Sequence, residues 1–170
     1  MAEHEDPQTD DEPEVPTPAM LIVDDTPENL VALEAVLEDV DCEVDTAESG
    51  NEALGRLLKK EYALVLLDVQ MPEMDGFEVA EIMRSNPRTA NVPIIFVTAI
   101  SKEDQYVKKG YEAGAVDYLF KPVDPTALHS KVNFFLQLHQ QKKRLEAKLA
   151  KSRESEKALY EAYGQDPDQS

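Results

Sequence analysis

The chain has 170 residues but a single cysteine, Cys42, so no disulfide can close within it and no multi-cysteine metal site can be built. Cys42 is expected as small buried filler in a strand. Basic residues are scarce: 17 Lys and Arg stand against 35 Asp and Glu, a formal charge of -18. That balance argues against a surface that reads phosphate backbones, and anionic membranes would repel it. No apolar run is long enough to span a bilayer, and the N-terminus shows neither the basic nor the apolar region of a signal peptide. A cytoplasmic protein is expected. The histidines His4, His129 and His139 are scattered without a second ligand at useful spacing, so no chemistry is assigned to them.

The length suits one domain with appendages. Residues 1–18 mix Glu3, Glu5, Asp6, Asp10, Asp11, Glu12 and Glu14 with Pro7, Pro13, Pro16 and Pro18. Such a segment cannot bury enough apolar surface to order itself and is expected as a disordered tail. From Ala19 onward short apolar runs alternate with amphipathic segments. "MLIVDD" precedes "TPENLVALEAVLEDV", in which Thr26 is placed as N-cap and Pro27 as the first helical residue. "CEVDTA", "ALVLLD", "VPIIFVTA" and "AVDYLFKP" then each precede a helical pattern, the last beginning near Pro125. Five such units predict a doubly wound parallel sheet with helices on both faces, because "LVLL" and "IIFV" are apolar at every position.

In such a sheet, ligands bind beyond the carboxyl ends of the strands. The residues at those ends are Asp24 and Asp25, Asp68, Thr98 and Lys121. Each has an ordinary reading alone: a strand-ending acid, a β-forming threonine, a surface lysine. Their joint placement carries the argument. Three acids on one edge repel unless something positive lies among them, and a hard divalent cation such as Mg²⁺ is the natural candidate. Lys121 adds an ammonium and Thr98 a hydroxyl. Together they form apparatus for a phosphoryl group, with Asp68 as the nucleophile.

The strings "LIVDD", "LLDVQMPEMDGFE", "IIFVTA" and "GAVDYLFKP" resemble the receiver domain of bacterial two-component response regulators, over about residues 19–140. The resemblance implies a flavodoxin-like sheet of order 2-1-3-4-5. It also implies that Asp68 takes a phosphoryl group from a phosphohistidine on a sensor histidine kinase. Mg²⁺ would sit on Asp25, Asp68 and the Gln70 backbone carbonyl, with Asp24 acting through water. Lys121 would contact the phosphoryl oxygens through a backbone whose bond to Pro122 is cis. Thr98 would move toward the phosphoryl group, with the switch residue Tyr118 turning inward behind it. Gln70 and Ile100 lie where members of that family vary. Of the remaining large side chains, Phe77, Phe96, Phe120 and Phe134 are expected in the core, and Met71 and Met74 in loop packing.

Beyond residue 140 the chain continues without Pro or Gly to Gly164. Phe135, Leu138, Leu145, Leu149, Leu159 and Tyr163 follow a heptad seam interrupted by Lys142, Ser152 and Glu156. A helix of roughly 50 Å is therefore expected to carry this seam, with residues 141–163 as its extension beyond the domain, paired with a second copy into a homodimer, and residues 164–170 as a short tail. A solvated single helix supported by pairs such as Lys142 with Glu146 is the alternative. In the resembling family such helices often lead into output domains, which raises the expectation of a longer parent protein. The function expected is a phosphorylation-switched module acting through protein contacts, not an enzyme. The competing readings are a Mg²⁺-dependent aspartyl phosphohydrolase and an unphosphorylated scaffold. The first is disfavoured because enzymes of the haloacid dehalogenase type place two acids two residues apart on the first strand, whereas Asp24 and Asp25 are adjacent.

Overall fold

The computed structural model describes residues 13–99, 104–115 and 117–164, with side chains described from residue 107 onward in the second stretch. Of the tails expected at residues 1–18 and 164–170, residues 1–12 and 165–170 lie outside the described residues. Among the described residues ten elements alternate: β1 (Ala19–Val23), α1 (Pro27–Val36), β2 (Glu43–Ala47), α2 (Gly50–Lys59), β3 (Leu64–Leu67), α3 (Gly76–Ser85), β4 (Ile94–Thr98), α4 (Asp104–Glu112), β5 (Asp117–Phe120) and α5 (Pro125–Tyr163). All strand pairs are parallel, and the order is β2-β1-β3-β4-β5. This is the flavodoxin-like arrangement that the resemblance implied.

Strand periodicity explains why two cores form. In β1 and β3, Leu21, Val23, Val65 and Leu67 point to one side, where α2 and α3 contribute Ala53, Leu57, Phe77, Ala80 and Met83. Met20, Ile22, Leu64 and Leu66 point to the other, where Leu30 and Leu33 of α1 meet Leu128, Val132 and Leu136 of α5. Every residue of β1, β3 and β4 is buried, as strands covered on both faces require. The contacts divide the chain into one unit of residues 17–137 and another that contains the helix from Leu138.

Several local expectations change. Thr26 stands at the N-cap of α1, but its side chain makes no capping bond; its own N–H instead donates to Asp24 Oδ1 at 2.9 Å. Cys42 is half-buried just before β2 rather than buried within it, because the strand begins only where Glu43 N–H reaches Pro18 O at 2.9 Å. Met71, in the loop after β3, packs into the core, and Phe134 is exposed rather than core. On α5, Leu128, Val132 and Leu136 occupy the buried face, which leaves Phe134 on another side of the helix.

Arg84, near the end of α3, was not singled out by the sequence. Its guanidinium donates to Ala90 O at 2.8 Å and Val92 O at 2.7 Å, and to Gly114 O through Nε and Nη2 at 3.2 and 2.5 Å. One planar cation thus ties the end of α3 to the approach of β4 and the approach of β5, and burial lowers its pKa. Replacing Arg84 with Met orphans three carbonyls. It should destabilise the domain by about 3 kcal/mol, read as a lower urea midpoint with an unchanged slope.

Candidate functional site

The site begins with strand register. Val23, the last residue of β1, lies opposite Leu67, the last of β3, so the next residues, Asp24 and Asp68, emerge side by side. The Asp68 N–H donates to Val23 O at 2.9 Å, and the Asp24 N–H donates to Ala47 O at 3.1 Å. Asp25 follows on the same loop. The three carboxylates each bring an oxygen within 4.8 Å of the others; Asp24 and Asp68 are buried and Asp25 is exposed. From the end of β5, Lys121 sends Nζ to 2.8 Å from Asp24 Oδ2 and 3.7 Å from Asp68 Oδ2. Both strand order and register are needed for that meeting, since β5 is two strands away from β3.

Asp24 is held hard in place. Besides Lys121 and the Thr26 N–H, its two oxygens accept from Asn29 Nδ2 at 3.3 and 3.2 Å. Asn29, in the first turn of α1, was missed by the sequence reading. Asp68 has fewer partners: the Gln70 N–H donates to its Oδ1 at 3.3 Å. Burial pushes the Asp68 carboxyl up to about 6; Lys121 and the Gln70 N–H pull it down, and Asp24 and Asp25 push it further up. Of the two buried carboxylates it has the fewer protein partners.

The loop after Asp68 is set by Gly76 at the start of α3. Its N–H donates to Val69 O at 2.9 Å, and a Cβ there would lie 2.3 Å from Asp68 O. Only glycine lets α3 begin that close to the β3 end. Asp75 caps the helix, accepting from the Glu78 N–H at 2.9 Å.

Of the remaining expected residues, Thr98 is buried at the end of β4, and its carbonyl accepts from the Lys121 N–H at 2.9 Å. The Lys121–Pro122 bond is cis, as the resemblance implied. Gln70 is exposed beside Asp68, and Ile100 lies outside the described residues. Tyr118 stands apart from the acids. It is buried, its ring packed near Phe96 and Tyr111 and stacked on Phe120. Its hydroxyl fills the space a side chain at Gly110 would need: a Cβ there would come within 1.8 Å of it. The inward position is therefore built into α4.

Residues 20–133 match the family model for the response regulator receiver domain. The chain belongs to the response regulator receiver family. Among curated relatives, the receiver is 44% identical over 119 residues to a probable cyclic di-GMP phosphodiesterase of Vibrio cholerae, covering 69% of this chain and 26% of that protein. It is 38% identical over 113 residues to the response regulator PleD of Caulobacter vibrioides, covering 66% and 25%. It spans a quarter or so of the length of these two relatives. Among solved structures, a putative response regulator from Chloroflexus aurantiacus superposes with a TM-score of 0.67 at 36% identity, covering 72% of this chain and 99% of that one. The chemotaxis protein CheY4 of Vibrio cholerae gives 0.66 at 29% identity, covering 71% and 99%.

Two outcomes follow from this geometry. Because the folded Asp68 pKa lies above the ordinary 3.8, folding favours the neutral carboxyl more than the unfolded chain does. In metal-free protein its contribution is fully present below pH 4 or so and lost as pH rises through about 6. Asp68→Asn should therefore stabilise the metal-free receiver by about 1–2 kcal/mol at pH 7.5, and denaturant melts should show the gap closing near pH 4. Gly110→Ala should cost about 1–3 kcal/mol through overpacking. That cost should largely vanish in a Tyr118→Ala background, a coupling that a double-mutant cycle measures.

Proposed function

We propose that Asp68 is the phosphoacceptor of this receiver and takes its phosphoryl group from a phosphohistidine on a sensor histidine kinase. An Asp68 oxygen attacks phosphorus while the bond from phosphorus to the imidazole nitrogen breaks; the nitrogen keeps that electron pair, and an acyl phosphate forms. The observation that carries the reading is the meeting of Asp68 with Asp24, Asp25 and Lys121 at the switch point of a sheet.

The donor set fits a hard divalent cation, since three carboxylates with oxygens within 4.8 Å share one ammonium. Asp25, Asp68 and the Gln70 carbonyl would hold Mg²⁺, with Asp24 acting through water. When bound, the ion offsets negative charge on the phosphoryl oxygens. Asn29 fixes the Asp24 carboxylate, so that Lys121 is anchored at the rim within reach of an incoming phosphoryl oxygen. Thr98 donates its hydroxyl to that group, and Tyr118 responds as the switch residue. Burial of Asp68 limits access of water to the acyl phosphate.

The receiver works in the cytoplasm as a signalling module rather than a turnover enzyme. Residues 19–140 form it and residues 141–163 its helical extension. Its output is a change in protein contacts, including homodimerisation through the α5 extension, whose apolar seam is exposed.

Incubation with acetyl phosphate and Mg²⁺, followed by intact-mass spectrometry, tests the chemistry. The expected product carries one phosphoryl group at Asp68, is absent from Asp68→Asn, and forms about 100-fold more slowly in Lys121→Met. Continuous phosphate release without an adduct would instead establish a phosphohydrolase.

A further inference from the structure

From Leu138 to Tyr163 the α5 helix shows a stripe of apolar side chains in water. Leu138, Leu145, Leu149, Leu159 and Tyr163 are between 49% and 77% exposed, and their spacing alternates three and four residues around Lys142, Ser152 and Glu156. Position by position the seam reads Leu138, Lys142, Leu145, Leu149, Ser152, Glu156, Leu159, Tyr163. Glu146 and Arg153 flank it on one side, Lys148 and Ser155 on the other. Within the helix, Glu146 pairs with Lys143 at 3.3 Å, not with Lys142 as the sequence reading supposed, and Lys157 approaches Glu161 at 3.9 Å. Lys142, Lys148, Arg153 and Glu156 enter no ion pair among the described residues.

The charges decide how two copies can meet. A parallel two-fold pair sets every residue opposite itself. Lys142 would then face the partner's Lys142, Glu156 would face the partner's Glu156, and Lys148 would flank the partner's Arg153. All three contacts set like charges together, which is unfavourable. An antiparallel pair with Leu149 opposite the partner's Ser152 reverses each of them. Lys142 then lies beside Leu159 and within one seam step of Glu156, both of the partner subunit. Glu146 lies across from the partner's Arg153, and Lys148 meets the partner's Ser155. Sliding this register by one heptad either way destroys the match, bringing Lys148 against itself in one direction and Arg153 against itself in the other.

We propose that the seam of α5 binds a second copy of this chain in antiparallel orientation, with Glu146 and Arg153 as the reciprocal pair that selects it. This rests on the homodimer reading given under Proposed function and goes further by naming orientation and register. A single charge reversal separates the two orientations, because Arg153→Glu acts on them with opposite sign. It sets Glu against Glu146 in the antiparallel pair, whereas in the parallel pair it gives Lys148 an acidic partner.

Sedimentation equilibrium of the full chain at low ionic strength tests this. The wild type is expected to dimerise, and Arg153→Glu to raise the dimer dissociation constant about ten-fold. The double variant Glu146→Arg with Arg153→Glu should return to within about two-fold of wild type. A wild-type dimer that Arg153→Glu tightens or leaves unchanged would overturn the antiparallel arrangement while leaving helix-mediated dimerisation standing. A wild type that remains monomeric would overturn both. Arg153 is exposed and carries no ion pair within the helix, so loss of folding does not confuse the result.

Discussion

The receiver depends on one register. Val23 pairs with Leu67, and that pairing forces two carboxylates, Asp24 and Asp68, out of neighbouring strand ends into the same space. Charges about 4 Å apart at an effective dielectric of about 20 repel by about 4 kcal/mol. A fold that imposes this needs a compensating cation, and Lys121 supplies one at 2.8 Å from Asp24 and 3.7 Å from Asp68. The compensation is uneven. Asp24 is held by Lys121, Asn29 and a backbone N–H, whereas Asp68 keeps a raised pKa. Of the two buried carboxylates, the one with fewer partners is the one proposed to react.

What makes the register rigid is burial on both faces. A slip of one residue in β1 or β3 would exchange the two hydrophobic clusters and turn every side chain to the wrong layer. The apolar strands are thus the means by which polar residues at their ends are positioned. Arg84 extends this rigidity to the far side of the domain, binding three carbonyls of the segments that lead into β4 and β5. Tyr118 is placed by subtraction: the missing side chain at Gly110 is the space its hydroxyl occupies.

The helix from Leu138 follows different physics. Its apolar stripe is exposed, and polar residues interrupt the seam at three positions. Such residues weaken association and in exchange restrict which pairings are allowed. In the proposed pairing, Lys142, Glu156 and Arg153 matter less for strength than for the arrangements they forbid.

Much of this was legible in the residue order, because local rules sufficed. Alternating apolar runs and amphipathic segments are short-range patterns, and they located the elements and the strand-end residues Asp24, Asp25, Asp68, Thr98 and Lys121. Side chains whose surroundings come from distant segments were not legible. Arg84 finds Gly114 thirty residues away, and Lys121 finds Asp24 across 97 residues. Phe134 was assigned to the wrong environment, since hydrophobicity alone does not say which side of a helix meets the sheet. The sequence by itself determined the kinds of elements and the chemical groups at their ends. Only the tertiary structure decided which of those groups touch, because distances between strand ends depend on sheet order and register, which no local stretch of chain contains.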